Sequence, residues 1–212
     1  MASTFDACVI GHVARDINTI GDTEHAPSPG GAAYYSTMVY RGLGLRAAVV
    51  TRVAERDRHL LQELEDVGVE VLNLPSRATT TFRNDYPSAA DPDLRIQRVD
   101  ARAGTIPVAA LPDLRARIWQ IGPLTADDVE LAMISHCAGL GGLVGLDVQG
   151  LTRAVVGGRV RASAPAARLD HLRALDVLKA DDGEILSYTG ALAIPEAVAL
   201  VRAAGAREVL VT

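Results

Sequence analysis

The chain has 212 residues, of which 49% are hydrophobic, 22% charged and only 4% aromatic. This composition excludes wholesale disorder and predicts one or two globular domains, with a core built from Ala, Val and Leu rather than from aromatic rings. A net charge of −5 argues against a nucleic-acid-binding protein. No apolar run approaches the about 18 residues of a membrane span and no signal peptide is visible, so we expect a cytoplasmic protein.

The first part of the chain alternates short apolar runs with amphipathic segments. Apolar runs predict strands at residues 7–10, 47–51 and 69–74, and helical periodicity predicts helices at 32–43 and 57–67. Short links in a β-α-β-α-β order imply right-handed crossovers and a largely parallel sheet.

The pattern changes between residues 79 and 102. Two polar, alternating stretches, 79–86 and 94–102, flank the turn-forming sequence at 90–93 and predict a β-hairpin with one wet face. A hairpin inside a β-α chain is typical of an inserted lid, from which Arg98 or Arg102 could reach a ligand; arginines that face solvent are the alternative.

The α/β alternation then resumes. We predict strands at 118–121, 142–148, 177–178 and 209–211, and helices at 125–136, 170–175, 182–188 and 195–204. Thr125 with Asp128 resembles a capping box at the start of the first of these helices. The two cysteines, Cys8 and Cys137, lie in apolar segments and are expected to be buried free thiols.

Two motifs follow the first strand. Asp16 lies where parallel α/β sheets bind ligands, and its carboxylate can accept hydrogen bonds from vicinal hydroxyls; a solvated loop Asp is the alternative. Gly30 and Gly31 open a helix that carries Tyr35, and paired glycines allow a ligand to approach the backbone; a tight turn is the alternative.

Two further motifs follow later strands. Residues 147–153 gather a carboxylate, the Gln149 amide and the Arg153 guanidinium beside a glycine; a capped turn with a surface arginine is the alternative. Lys179, the only lysine, precedes Asp181 and Glu184, whose spacing places them on one helix face. The two carboxylates suit a hydrated Mg²⁺, or they serve only to cap the helix.

The order of these motifs resembles that of the ribokinase/PfkB family of sugar and nucleoside kinases, over residues 7–212. Residues 147–153 and 79–82 are most similar to the inositol-kinase branch. The resemblance implies a three-layer α/β/α fold with a mainly parallel central sheet and an inserted hairpin lid. It also implies that residues 1–212 form one incomplete domain of this fold, with residues 79–102 as the lid.

The resemblance assigns roles to individual residues. The substrate-binding residues would be Asp16, Gly30, Gly31, Tyr35, Gln149 and Arg153. Tyr35 takes a position where many members carry an Asn, which implies a substrate other than ribose. The phosphate- and cofactor-binding residues would be Lys179, Asp181 and Glu184, the last two acting on Mg²⁺, mostly indirectly.

The activity implied is phosphoryl transfer from ATP, with Mg²⁺, to a hydroxyl of a small sugar, polyol or nucleoside. The family's G-A-G-D motif, which carries the catalytic base, would follow Thr212, so we expect no catalytic residue within residues 1–212. Residues 1–212 would then be a truncated or split kinase, or part of a longer chain. The alternative is a non-catalytic sugar-binding or dimerisation module with this fold. In either case we expect a homodimer formed through the hairpin, and neither a nucleic-acid nor a membrane partner.

Overall fold

The computed structural model describes residues 3–88, 94–164 and 169–212, so the expected hairpin turn at 90–93 lies outside the described residues. The strands are β1 (Ser3–Ile10), β2 (Ala14–Ile20), β3 (Thr23–Glu24), β4 (Ser28–Gly30), β5 (Ala47–Thr51), β6 (Glu70–Asn73), β7 (Thr81–Tyr86), β8 (Ile96–Ala101), β9 (Leu114–Ile121), β10 (Leu143–Asp147), β11 (Arg153–Val156), β12 (Arg159–Ala162), β13 (Val177–Ala180) and β14 (Glu208–Val211). The α-helices are α1 (Ala32–Gly42), α2 (Gln62–Asp66), α3 (Ala132–Leu140), α4 (Asp182–Thr189) and α5 (Ile194–Ala203).

The central sheet has seven strands in the order β14-β13-β10-β9-β1-β5-β6. Every neighbouring pair in it is parallel. In the middle of the sheet, Cys8 of β1 stands opposite Ala48 on one side and Trp119 on the other. The parallel sheet expected from the apolar runs is confirmed.

Helices cover both faces of this sheet because its strands are apolar on both sides. Val9 and Val49 pack on one face with Leu61, which ends the 3₁₀ helix before α2, and with Leu64 of α2. The alternate residues of the same strands point to the other face, where α3, α4 and α5 contribute Met133, Ile134, Ile185 and Val201. The result is the three-layer α/β/α architecture.

The first of these faces is less fully covered over β9, β10, β13 and β14. An apolar groove of about 350 Å³ runs there, with Tyr40 of α1 at one side. Leu143 and Leu210, which line it, are 51% and 54% exposed.

A second sheet stands beside the carboxyl ends of the central strands, in the order β11-β12-β8-β7-β2-β3, with β4 paired to β2. We call it the lid sheet. The predicted hairpin is confirmed as the antiparallel pair β7 and β8. The strands β2 to β4, β11 and β12 are an addition that the sequence analysis missed, because these strands are short or polar and lack the continuous apolar runs of the central strands. Asp16 therefore lies in a strand, between Phe82 of β7 and Ser28 of β4.

Three predicted helices differ from those observed, and the one predicted at 170–175 is a 3₁₀ helix, Leu169–Ala174. The segment predicted as one helix at 57–67 is a 3₁₀ helix, Glu55–Leu61, followed by the short α2. The helix predicted from Thr125 begins only at Ala132. The reason lies in Asp128, which is 2% exposed and accepts hydrogen bonds from the Leu124 and Thr125 amides and the Thr125 hydroxyl. Its carboxylate closes the loop after β9 instead of capping a helix.

Cys8 and Cys137 are buried and free, as predicted. Burial raises the pKa of both thiols, which keeps them protonated and unreactive. In the described part of the chain, no single helix is long and apolar enough to cross a membrane, and α4 with α5 would reach that length only as a pair bent by 57°.

Candidate functional site

A cavity of about 340 Å³ lies where the carboxyl ends of β9 and β10 face the lid sheet. This is the edge at which open parallel sheets bind ligands. Five predicted substrate residues line it: Asp16, Gly31, Tyr35, Gln149 and Arg153. The structure thus brings together residues that are up to 137 positions apart in the chain. We call this space the acceptor cavity.

Asp16 points into the acceptor cavity from β2. Within the described residues, its half-buried carboxylate has no hydrogen-bond donor or ion-pair partner. Burial raises its pKa to about 6, and the Arg95 and Arg153 guanidiniums limit that rise. A carboxylate that lacks donors in a partly dry site gains from a ligand whose hydroxyls donate to it.

Gly30 and Gly31 are required because neighbouring atoms lie too close to leave room for a side chain at either position. A side chain on Gly30 would collide with the carboxylate of Asp16, so Gly30 leaves the room that this carboxylate occupies. Gly31 precedes α1 with φ of 89°, and a Cβ on it would lie 2.8 Å from both the His12 carbonyl oxygen and Leu124 Cδ1. Only glycine tolerates both constraints.

Tyr35 stands at the mouth of the acceptor cavity, on the first turn of α1. Its side chain is 59% exposed, and its ring lies edge-on to Tyr34 with 5.2 Å between the ring centroids. Burial and the nearby Asp16 carboxylate raise the pKa of its hydroxyl. Tyr35 therefore offers a ligand a neutral aromatic face next to a carboxylate.

The segment after β10 forms the opposite wall. Asp147 Oδ1 accepts a hydrogen bond of 3.0 Å from the backbone N–H of Gln149. The chain then makes one 3₁₀ turn before Arg153 begins β11. The tight turn depends on Gly150, because any side chain there would lie 2.5 Å from the Pro123 carbonyl oxygen. Burial and the neighbouring Arg95 lower the pKa of Arg153, partly offset by Glu184, Asp147 and Asp181.

A second cavity, of about 350 Å³, adjoins the first and shares Arg95, Gln97 and Arg153 with it. Its floor is the start of α4, with Asp181, Gly183 and Glu184. We call it the donor cavity.

The start of α4 is a complete capping box. The Glu184 amide donates to Asp181 Oδ1 at 2.6 Å, and the Asp181 amide donates to Glu184 Oε2 at 2.9 Å. Burial raises the pKa of the Glu184 carboxyl. Asp181 and Glu184 therefore do cap the helix, as the alternative interpretation expects, and capping uses one oxygen of each carboxylate.

Lys179 does not line either of these cavities. Its ammonium lies 3.5 Å from Asp147 Oδ2 and 3.9 Å from Glu184 Oε2. Lys179 thus pairs with one carboxylate at the end of β10, which lines the acceptor cavity, and with one at the start of α4, which lines the donor cavity.

The donor set at α4 suits a hydrated magnesium ion. No group of three or more His, Cys, Asp or Glu side chains that could hold a metal occurs among the residues that the structure describes. Asp181 Oδ2 and Glu184 Oε1 remain outside the capping bonds, and Mg²⁺ commonly takes one or two carboxylates and completes its shell with water and phosphate oxygens. Asp181 and Glu184 would hold such an ion only together with a phosphate-bearing ligand.

Sequence reasoning missed the contribution of the lid sheet. Arg95 and Gln97 line the acceptor cavity, whereas Arg98 and Arg102, the arginines expected to reach a ligand, do not. Side chains alternate along a strand, so Arg95 and Gln97 share one face and Arg98 lies on the other. Arg102 instead lies 3.7 Å from Asp127. Arg95 can be identified from the sequence because it lies two residues before Gln97, so the two side chains point to the same face.

The two cavities together can hold a neutral hydroxylated molecule beside an anionic one. Asp16 and Gln149 supply acceptors and donors for hydroxyl groups, while Arg95 and Arg153 supply positive charge where the cavities meet. This arrangement suits a reaction that joins an alcohol to an anionic group.

Comparisons with known proteins agree with this geometry at the level of structure. No family model matches the chain, and no curated protein matches it. A pyrophosphate-dependent kinase in the ribokinase family, determined as a sulfate complex, superposes with a TM-score of 0.88 at 26% identity, over 97% of this chain and 72% of that one. A pyrophosphate-dependent kinase of that family, complexed with a pyrophosphate analogue and myo-inositol, gives 0.87 at 24% identity over the same shares. Ribokinase of Arabidopsis thaliana, complexed with ribose and ATP, gives 0.69 at 19% identity, over 100% of this chain and 72% of that one.

Proposed function

On the premise that this chain has the fold of the ribokinase-family kinases that are its structural neighbours, we propose that it binds a small polyol or sugar in the acceptor cavity. The bound alcohol is the acceptor of a phosphoryl group. In the reaction, the alcohol oxygen forms a bond to phosphorus, the bond from phosphorus to the donor's bridging oxygen breaks, and the hydroxyl proton passes to a base.

The observation that carries this proposal is the unpartnered carboxylate of Asp16. Its pKa of about 6 leaves it mainly ionised near neutral pH. The charge-assisted hydrogen bonds that it lacks in the protein are those that vicinal hydroxyls supply. Each such bond contributes about 1.5–3 kcal/mol, so two bonds make Asp16 a principal determinant of acceptor affinity.

A cyclic polyol fits the surroundings of Asp16. The cavity of about 340 Å³ joins polar walls at Asp16 and Gln149 to the apolar faces of Tyr35 and Phe82. A ring that carries hydroxyls at its edge and C–H groups on its face matches both. The neighbour complexed with myo-inositol supports myo-inositol as the first acceptor to test.

The donor is proposed to bind in the donor cavity, over the start of α4. ATP is the donor implied by the sequence resemblance, and the ribokinase neighbour is complexed with ribose and ATP. Pyrophosphate is a second candidate, because the two pyrophosphate-dependent kinases superpose with higher TM-scores. Asp181 and Glu184 would assist either donor through a bound Mg²⁺.

The alternative function is a sugar-binding or dimerisation module without catalysis. It shares the acceptor cavity but predicts no phosphoryl transfer. Both functions share binding in the acceptor cavity, and the kinase additionally needs the catalytic base that the resemblance assigns to the G-A-G-D motif.

Phosphorus NMR distinguishes the two functions. A chain that includes the G-A-G-D motif is incubated with Mg²⁺, a polyol panel that includes myo-inositol, and either ATP or pyrophosphate. We expect a phosphate-ester signal that depends on the polyol, and an Asp16→Asn variant at least about a hundredfold slower in kcat/KM, since about 3 kcal/mol of acceptor binding is lost. Polyol binding without ester formation, by a chain that includes the G-A-G-D motif, would support the binding module instead.

A further inference from the structure

Two arginines meet at the junction of the acceptor and donor cavities. Arg95 lies just before β8 of the lid sheet. Arg153 is the first residue of β11 and follows the turn after the central strand β10. Both line both cavities. No other charged residue is shared by the two linings.

Neither guanidinium has a partner within the described part of the chain, since no hydrogen bond or ion pair joins either side chain to another group there. Arginine side chains on protein surfaces usually reach a carboxylate, a carbonyl oxygen or open water. Arg153 is half-buried, and its pKa is lowered first by burial and then by the positive charge of Arg95 nearby. Two like charges close to each other repel, and an anion bound to both relieves that repulsion.

The surrounding carboxylates are divided between the two sides. Asp16 faces the pair from the acceptor cavity, and Arg95 and Arg153 are the two charges that limit the rise of its pKa. Asp181 and Glu184 face Arg153 from the donor cavity, and Asp147 from the turn. No ion pair joins Asp16 to Arg153 among the described residues, although both line the acceptor cavity.

We propose that Arg95 and Arg153 form a clamp for a phosphoryl group at the junction of the two cavities. The inference rests on the proposed function and adds a residue from the lid to it. The planar forks of two guanidiniums match the oxygens of a phosphate. The terminal phosphoryl group of the donor and the phosphate of the phosphorylated polyol occupy this same place in turn.

The clamp gives the lid sheet a chemical role. Because Arg95 comes from the lid side and Arg153 from the turn after β10, an anion bound between them ties the lid to the central sheet. A donor without an acceptor therefore already engages the lid.

Calorimetric titrations with two probes, inorganic pyrophosphate and myo-inositol 1-phosphate, test the clamp. For wild-type protein we expect both to bind. In Arg95→Gln and Arg153→Gln, both probes are expected to bind at least about tenfold more weakly, as for loss of one charge-assisted contact. The matched control is Arg98→Gln, which removes the same charge from an exposed position in β8 outside both cavities and should leave both affinities within about twofold. Thermal unfolding of each variant checks that the fold is retained.

The outcomes separate this inference from the proposed function. The clamp is overturned if Arg95→Gln binds pyrophosphate as tightly as wild-type protein, if it weakens one probe and not the other, or if Arg98→Gln weakens them equally. Asp16→Asn removes a negative charge and should bind pyrophosphate at least as tightly as wild-type protein while losing myo-inositol. If no polyol binds but pyrophosphate binding depends on Arg95, the proposed function fails and the clamp stands.

Discussion

Asp16 combines two properties that conflict in a structural residue: its carboxylate is half-buried, and no described group donates to it. Burial without donors raises its pKa from 3.8 to about 6. A group whose folded-state pKa is raised in this way holds its proton more tightly in the folded state than in the unfolded state. The free energy of unfolding therefore falls as the pH rises from about 4 to about 6.

Acceptor binding should have the opposite pH dependence. Only the ionised carboxylate accepts two hydrogen bonds from hydroxyls, and near pH 5 about a tenth of Asp16 remains ionised if its pKa is about 6. We expect myo-inositol affinity to fall about tenfold between about pH 7.5 and about pH 5. Calorimetric titration over this range measures it. An affinity that is flat over this range would show that the Asp16 charge does not bind the acceptor.

Removing the charge should stabilise the protein. In Asp16→Asn, the cost of keeping a half-buried carboxylate ionised at neutral pH disappears, and we expect the free energy of unfolding to rise by about 1–2 kcal/mol after allowance for solvent screening. Urea unfolding at neutral pH measures the change. A variant that is less stable than wild-type protein would mean that Asp16 supports the fold rather than the ligand.

Gly31 provides a test of the loop that shapes the acceptor cavity. With φ of 89° and two atoms 2.8 Å from a hypothetical Cβ, Gly31→Ala is strained on both counts. We expect a loss of about 2 kcal/mol or more in the free energy of unfolding. The matched control is Gly42→Ala, at the end of α1 with open space around it, which should be neutral or raise stability by up to about 1 kcal/mol. Equal effects of the two substitutions would contradict this account of the loop.

At the scale of secondary-structure elements, apolar runs predicted the central strands well because strands buried on both faces are apolar throughout. The lid strands were harder to predict. β2 contains the polar residues Arg15, Asp16 and Asn18 and shows no regular apolar alternation. A strand there can be distinguished from a loop only once its partner β7 is known. Arg95 was missed because it lies just before the first residue of β8, and only the alternation of side chains counted from Gln97 places it on the cavity face.

The capping box of α4 separates a structural role from a ligand-binding role. Asp181→Ala removes the cap and should lower the free energy of unfolding by about 1 kcal/mol, whereas Asp181→Asn keeps a capping oxygen and should change it by less than about 0.5 kcal/mol. Both should weaken the Mg²⁺-dependent binding of pyrophosphate. Chemical denaturation and calorimetry measure the two properties separately. Full pyrophosphate binding by Asp181→Asn would exclude its carboxylate from the donor cavity's chemistry.

At the scale of the whole molecule, the lid sheet has an open edge at β11, where Val156 is 56% exposed. Exposed strand edges pair readily with other strands. This edge is a physical basis for the homodimer that the sequence analysis expects, although the edge belongs to a larger sheet than the hairpin alone. The dimer remains a prediction.

Light scattering at several protein concentrations tests the dimer. We expect twice the chain mass for wild-type protein and a monomer for Val156→Asp, whose charge opposes edge pairing. Val39→Asp is the matched control, because Val39 is 60% exposed on α1, outside the lid sheet, and it should remain dimeric. A monomeric mass for wild-type protein at high concentration would contradict the prediction.

The central claim is that the cavity around Asp16 binds a small polyol through its carboxylate, and the most direct test is a calorimetric titration of myo-inositol and related polyols into wild-type protein and Asp16→Asn at neutral pH. The account predicts that at least one polyol binds to wild-type protein and binds at least about a hundredfold more weakly to the variant. Equal affinity of both proteins for the polyol, or no binding of any polyol to wild-type protein, would contradict it.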